Sequence, residues 1–302
     1  MPRRPAALLA LGAATVAVAL TLVGCTTTVA DAPAGIRVVA STDVYGDLAK
    51  TVGGGYVDVT SIIDDPAKDP HEYQADARTQ LAVSKAQVII ENGGGYDDFV
   101  DTMISASGNT KVELINAVKL SGYDASAGDF NEHVFYDYPT VARVIDAMVA
   151  DFSAADASHS AVFADRGAKL RVQLDKLEDD EKNLAATTTG VGVAITEPVP
   201  DYVLSALGMK IVTPTSFSEA IEQDTDAPAT VLEQTLATFS NGDAKLLVYN
   251  VQTSGPQTDA VLAAAKKARV PAVPVSETLP SGFTYIEWQK GVLATIGQAL
   301  GH

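Results

Sequence analysis

Four side chains in this chain have the types and the settings of metal ligands. His71 stands in Asp69-Pro70-His71-Glu72-Tyr73, a loop behind the strand-like run of residues 56–63. His133 stands in a second loop, Asn131-Glu132-His133-Val134-Phe135-Tyr136-Asp137-Tyr138-Pro139. Glu197 and Glu277 each follow a short apolar run late in the chain. Taken singly, each has an ordinary role, a surface or capping histidine or a solvated carboxylate. Taken together, two neutral imidazoles and two carboxylates cancel the charge of one divalent ion. Carboxylates favour harder ions such as manganese, and imidazole suits zinc as well. Zinc held by two histidines and two carboxylates is ordinary chemistry. Asp201, Asp137, Glu72 and Glu132 are reserve ligands, or partners that orient the imidazoles. The remaining two histidines, His159 and His302, read as surface residues.

The elements that must carry these groups alternate between strand and helix. Strands are expected at 36–41, 56–63, 87–91 and 112–114, with helices at 43–52 (Thr42 as its N-cap), 79–86 and 96–105. Gly93-Gly94-Gly95 has neither a dinucleotide spacing nor a P-loop lysine, and reads as a tight strand-to-helix turn. Pro139 suits the first turn of a helix running to about residue 152. His133, just ahead of that positive helix end, is therefore expected to be neutral, the form that binds metals. Residues 157–187 form one long helix with an apolar stripe of Phe163, Leu170, Leu174, Leu177 and Leu184. The charges of Glu178, Asp179, Asp180, Glu181 and Lys182 are assigned to its solvated faces. Beyond it the pattern repeats, with strands at 191–196, 209–213, 245–250 and 272–276, and helices at 201–206, 227–239, 257–268 and 285–300. Glu197 and Glu277 fall directly after strand ends, where open α/β sheets bind ligands. The expected fold is α/β: two pseudo-symmetric lobes, each a mainly parallel sheet flanked by helices, joined by a long rigid linker helix.

The N-terminus reads as export machinery. Arg3 and Arg4 precede an apolar stretch of residues 6–23, and Cys25, the only cysteine, follows Leu22-Val23-Gly24. That setting resembles the lipobox of bacterial lipoproteins, which implies lipidation of Cys25 and anchoring on the outer face of the cytoplasmic membrane. The expected layout is a signal peptide over 1–24, a flexible tether over 25–35, an N-terminal lobe over 36–156, the linker helix over 157–187 and a C-terminal lobe over 188–302. With 38 acidic against 21 basic residues and a net charge of −17, nucleic acid is excluded as a partner.

On the two histidine loops and the late carboxylates, the chain resembles the zinc- and manganese-type solute-binding lipoproteins of bacterial ABC importers. Asp69-Pro70-His71-Glu72-Tyr73 is similar to the family's first ligand motif. The loop from Asn131 to Pro139 is similar to its second, with Asn-Glu where Asp-Pro is more usual. Glu197 falls where the family carries a histidine or glutamate, and Glu277 where it commonly carries an aspartate. The resemblance implies that the two lobes clamp one Mn2+ or Zn2+ ion as cargo. It also implies delivery to an importer permease driven by a cytoplasmic ATPase. The absence of a histidine-rich loop and of a third ligand histidine tilts the reading towards manganese. A monomer is expected. A metal-dependent hydrolase is the competing enzyme reading, but no His-Glu-x-x-His motif is present, and ligands drawn evenly from two lobes favour a closed binding site over catalysis. A surface adhesin ranks behind both.

Overall fold

The computed structural model describes residues 1–2, 35–66, 70, 73–128 and 130–302. Cys25, the leader from residue 3 onward and all of the tether except Gly35 lie outside the described residues, as do His71 and Glu72. Among the described residues, no helix is long and apolar enough to cross a membrane.

The first sheet contains β1 (Ile36–Thr42), β2 (Val57–Ile63), β3 (Val88–Glu91) and β4 (Glu113–Asn116) in the order β2-β1-β3-β4, every pair parallel. β3 is buried along its whole length, and β1 at all but one position, which is why both read as near-continuous apolar runs. β2 lies at the edge and alternates in burial over most of its length. Around this sheet lie α1 (Asp43–Gly53), α2 (Ala77–Lys85), α3 (Phe99–Ser107), α4 (Ala117–Ser121) and α5 (Tyr138–Ala155). Thr42 occupies the N-cap position of α1 but makes no side-chain capping bond. Asp76 caps α2 by accepting from the Thr79 amide at 2.8 Å. The glycine turn after β3 holds Gly93, Gly94 and Gly95 at φ of 79°, 71° and 100°. A Cβ at Gly93 would lie 2.3 Å from Asn116 Nδ2, so both the conformation and the space require glycine there.

The second sheet repeats the first. It contains β5 (Gly192–Ile195), β6 (Lys210–Ile211), β7 (Leu246–Asn250) and β8 (Ala272–Val275), again parallel and in the order β6-β5-β7-β8. α6 (Ser160–Thr188) joins the two lobes. α7 (Asp201–Ala206), α8 (Thr215–Glu222), α9 (Ala229–Ser240), α10 (Pro256–Ala268) and α11 (Tyr285–Ala299) flank the second sheet. Sequence periodicity missed α4 and α8 because a helix of one or two turns is shorter than the window over which a 3.6-residue period shows. The strand expected at 209–213 shrinks to the two residues of β6.

α6 extends about 43 Å at 1.5 Å per residue. It buries Phe163, Leu170, Leu174 and Leu177, with Leu184 half-buried against the same core. That core is continuous from Val38 and Ile90 in the first lobe, through α6, to Val248 and Trp288 in the second. Each sheet has a smaller cluster of its own on its other face. Hydrogen bonds cross the seam between the lobes: Tyr136 donates to the Ser276 carbonyl at 2.9 Å and Tyr285 to the Phe135 carbonyl at 2.8 Å. Asp43 and Asp47 of α1 accept from the amides of Leu279 and Tyr285 at 3.0 and 2.8 Å. The segment that carries Glu277 is thus tied to the first lobe.

One assignment on α6 is corrected. Glu181 is not on a solvated face; it is 7% exposed. Burial first, then the charges of Glu178 and Asp137, push its carboxyl up to about 8, against the pull of Lys182. The folded chain therefore holds a proton that the unfolded chain releases above its ordinary value near 4.5. Glu181's stabilising contribution is complete below that value and is lost as pH rises through about 8. Glu181→Gln keeps the shape and removes the ionisation. It is expected to raise the melting temperature by roughly 2–6 °C at pH 8 and to leave it unchanged at pH 4. Parallel melts at the two pH values check this, and equal shifts at both would contradict it.

Candidate metal centre

Both sheets present the carboxyl ends of their strands to the seam, and the site is built there from side chains just beyond those ends. His133 precedes a 3-10 turn (Val134–Tyr136) that leads into α5, and it is fully buried. Asn131 sets its orientation. The Asn131 carboxamide oxygen accepts from the His133 amide at 2.9 Å and lies 2.7 Å from the ring Nδ1. The carboxamide nitrogen donates to the Pro198 carbonyl of the second lobe at 2.8 Å. Tyr202 donates to the Asn131 carbonyl at 2.7 Å. The Asn131 oxygen that already accepts from an amide also claims the proton on Nδ1, so Nε2 is the ring nitrogen turned to the carboxylates. Tyr96 and Phe135 wall the ring at centroid distances of 5.8 and 5.7 Å.

Nε2 lies 3.4 Å from Glu222 Oε1 and 3.7 Å from Glu277 Oε2. Glu277 follows β8 by two residues and is 2% exposed. Its Oε1 accepts from Asn250 Nδ2 at 2.8 Å, and its amide donates to Gln252 Oε1 at 2.5 Å. Glu197 follows β5 by two residues and is 3% exposed. Hydrogen bonds from Thr253 and Asn250 reach it, while Oε2 is buried and has no hydrogen-bond partner among the described residues. Asn250, at the end of β7, thereby bridges Glu197 and Glu277.

The electrostatics show how crowded the site is. Burial, then the charges of Glu222 and Glu277, push Glu197 up to about 7, although its two hydrogen bonds oppose this. Burial pushes Asp201 up to about 7, with Glu222 adding to the shift and His133 opposing it. The helix end alone favours a neutral His133, but in the metal-free chain the surrounding carboxylates pull the other way. Burial, the largest influence, would lower it. Glu222, Glu277 and Glu132 together outweigh burial and raise it to about 10. A helix end acts as about half a charge, whereas each nearby carboxylate is a full one in a medium of low polarisability.

Of the four ligands expected from the sequence, the structure brings His133 within 3.7 Å of Glu277 and sets Glu197 within reach of the charge of Glu277, and His71 lies outside the described residues. Its neighbours are described: the Tyr73 amide donates to the Pro70 carbonyl at 3.3 Å, and the Tyr73 ring packs on Phe99 at 4.6 Å. Among the described residues, no group of three or more His, Cys, Asp or Glu side chains is drawn up closely enough to hold a metal ion by itself. Sequence reasoning missed Glu222 and the orienting role of Asn131. Asn131 carried a signal, since it stands two residues before a motif histidine. Glu222 carried none, lying at the end of a helix too short to read. His159 is a partly exposed surface residue, as expected, and it lies 2.6 Å from Asp156 and stacks on Tyr56 at 3.9 Å.

Comparison with known proteins agrees with this architecture. The family model described as ZnuA, the periplasmic component A of the zinc-uptake complex, matches residues 38–299. The manganese-binding lipoprotein MntA of Bacillus subtilis (strain 168) is 28% identical over 149 residues, 47% of this chain and 48% of the relative. The alignment thus spans about half the length of that relative. The MntA of Halalkalibacterium halodurans is 22% identical over 221 residues, 67% of this chain and 72% of the relative. Among solved structures, the periplasmic zinc-binding protein TroA of Treponema pallidum superposes with a TM-score of 0.73 at 19% identity, covering 89% of this chain and all of that one.

Proposed function

We propose a function from the fact that this chain belongs to the ZnuA family of periplasmic zinc-uptake components: it captures one divalent Mn2+ or Zn2+ ion as cargo between its lobes and hands it to an ABC importer. The observation that carries this reading is the approach of His133 to 3.7 Å from Glu277, with Glu197 buried beyond another strand end and within reach of the charge of Glu277. His71, from the loop after β2, is the proposed fourth ligand. A divalent ion there replaces the charge that the carboxylates otherwise draw from His133. The donor set fits such an ion, since a nitrogen and an oxygen that each bind a metal at about 2.1 Å lie roughly 3–3.4 Å apart. The 3.4 and 3.7 Å separations around Nε2 need only a small contraction.

The continuous core and the Asp43, Asp47, Tyr136 and Tyr285 bonds across the seam suit a clamp with limited motion between lobes. The family's periplasmic setting makes the chain extracytoplasmic. We place its anchor at Cys25, as the lipobox-like Leu22-Val23-Gly24-Cys25 suggests. A binding role without turnover fits ligands that enclose the ion from two sides, with the importer permease and its ATPase as partners.

One experiment tests capture and anchoring together. Membranes bearing the chain are stripped with chelator, and the chain is then purified and offered limiting zinc or manganese. One ion per chain is expected by elemental analysis. The Cys25→Ala chain is expected in the soluble fraction with the same uptake. A folded parent chain that takes up no metal would refute the capture reading, and a Cys25→Ala chain retained in membranes would refute the anchor.

A further inference from the structure

His133 is the central residue of a turn of only three residues. The Val134 amide donates to the Glu132 carbonyl at 2.6 Å, and His133 itself has φ −74° and ψ 44°, the backbone of an inverse γ-turn. A single bond closes this turn, so the direction in which it projects the imidazole depends on what holds its two ends. Asn131 holds the His133 amide and ring. The Glu132 carbonyl is held by a side chain outside both the motif and the proposed ligand set. Asn92 Nδ2, from 40 residues away, donates to it at 2.8 Å. Asn92 directly follows β3 and is fully buried. Every polar group on it is engaged. Oδ1 accepts from Tyr45 of α1 at 2.5 Å, and Nδ2 also donates to the Gly93 carbonyl at 2.9 Å. The Asn92 amide donates to Asp97 Oδ2 at 2.7 Å, and its carbonyl accepts from the Val118 amide at 2.9 Å. Asp97, itself 1% exposed, takes the Gly93 amide on its other oxygen at 2.7 Å. The two carbonyls that face Nδ2 can only accept, which fixes the way the carboxamide points. A bond lost at this depth leaves its partner buried and unpaired. The second lobe has a counterpart. β3 and β7 hold the same position in the two sheets, and Asn250 at the end of β7 donates to Glu277 at 2.8 Å.

We infer that Asn92 is a positioning residue for capture: by holding the Glu132 carbonyl it fixes the turn that aims His133 Nε2 at the Glu277 carboxylate. This rests on the capture reading above. Asn131 sets the rotation of the ring, and Asn92 sets where the backbone beneath the ring stands. Ligand side chains must be held to within about 0.5 Å of their working geometry, and the partners that orient them are each worth about 10- to 100-fold in metal affinity. α1 refers both sides of the site to one frame. Tyr45 holds Asn92, and Asp43 of the same helix accepts from the Leu279 amide, two residues past Glu277. The separation of His133 and Glu277 is thereby set from a single helix.

The test uses the full chain in detergent, nitrogen-15-labelled and chelator-stripped, with manganese(II) and zinc(II) as probes. Asn92→Ala is expected to lower affinity for both ions by about 10- to 100-fold. Without metal, it should move the imidazole signal that His133→Ala deletes from the magnetic resonance spectrum. Met103→Ala is the control for a first lobe that is merely loosened. Met103 is 1% exposed in the cluster on the other face of the first sheet, so its truncation lowers the melting temperature from a place away from the turn. It should leave the His133 signal where it is and change affinity by less than about threefold. Asn92→Asp keeps the size and the oxygen that faces Tyr45 and exchanges the donor nitrogen for an oxygen; it is read in place of Asn92→Ala if that chain does not fold. A folded Asn92 variant with parental affinity overturns the inference, whatever its imidazole signal does. So does an equal loss of affinity in Met103→Ala. So do Asn92 carboxamide protons in the parent that exchange with water as fast as exposed ones, a result that needs no variant. In each of these cases the capture reading survives, because the parent still binds metal. A folded parent that binds neither ion overturns both.

Discussion

His133→Ala is expected to lower metal affinity by a hundredfold or more, and to remove most of the thermal stabilisation that metal gives the parent chain. With free metal at a hundred times Kd, the parent gains about 2.7 kcal/mol, a rise of roughly 5–11 °C in melting temperature for a domain of this size. At the same metal level the variant's site is at most half filled, so its rise should be about a degree or two. Nε2 is the ring nitrogen turned to Glu222 and Glu277, and Asn131 at 2.7 Å from Nδ1 fixes that orientation. No other described histidine lies in the pocket to replace it. Comparing each chain with and without metal cancels the cost of truncating a buried ring. A variant that keeps the parental shift with manganese and with zinc would remove His133 from the site.

Trp288→Ala is expected to cost the metal-free chain about 3–5 kcal/mol, with a fall in melting temperature of roughly 10 °C or more. Trp288 is the only tryptophan and is 4% exposed on α11. It packs on Tyr136 at 5.2 Å, on Tyr285 at 6.1 Å and on Phe135 at 6.2 Å between ring centroids. Two of those three rings belong to the segment that carries His133, so the indole joins α11 to the first lobe. Its loss leaves a cavity in the seam that rigid neighbours on several elements do not fill. Circular dichroism melts measure the effect, because the variant lacks the natural fluorophore. Metal affinity should fall by less than tenfold, since every proposed ligand remains. The two variants therefore separate the roles: His133→Ala loses the metal response, and Trp288→Ala loses the stability of the frame. A fall of under 1 kcal/mol for Trp288→Ala would show that the seam repacks freely.

The strand ends, the repeat of the two lobes and α6 were legible because they rest on local patterns. Buried parallel strands are continuous Val, Ile and Leu runs, and a helix of this length shows its period over many turns. The placement of Glu197 and Glu277 followed from the same logic, since residues just beyond β5 and β8 face the crevice whatever their neighbours are. The loop of His133 was legible as a motif, with Asn131 as a departure from it that carries an orienting hydrogen bond.

What the sequence determined by itself was the order of elements and the residues able to reach the carboxyl ends of the sheets. The tertiary structure alone decided which charges share a pocket. Glu222 comes to His133 from a short helix elsewhere in the chain, and Glu181 turns inward from a run of charges that reads as solvated. The carboxylates around His133 raise its pKa in the metal-free chain, although its place before a helix argued for neutrality. Secondary structure is set by neighbours a few residues away. Burial and Coulomb energy are set by groups brought together from distant parts of the chain, and their size depends on how much water the fold excludes.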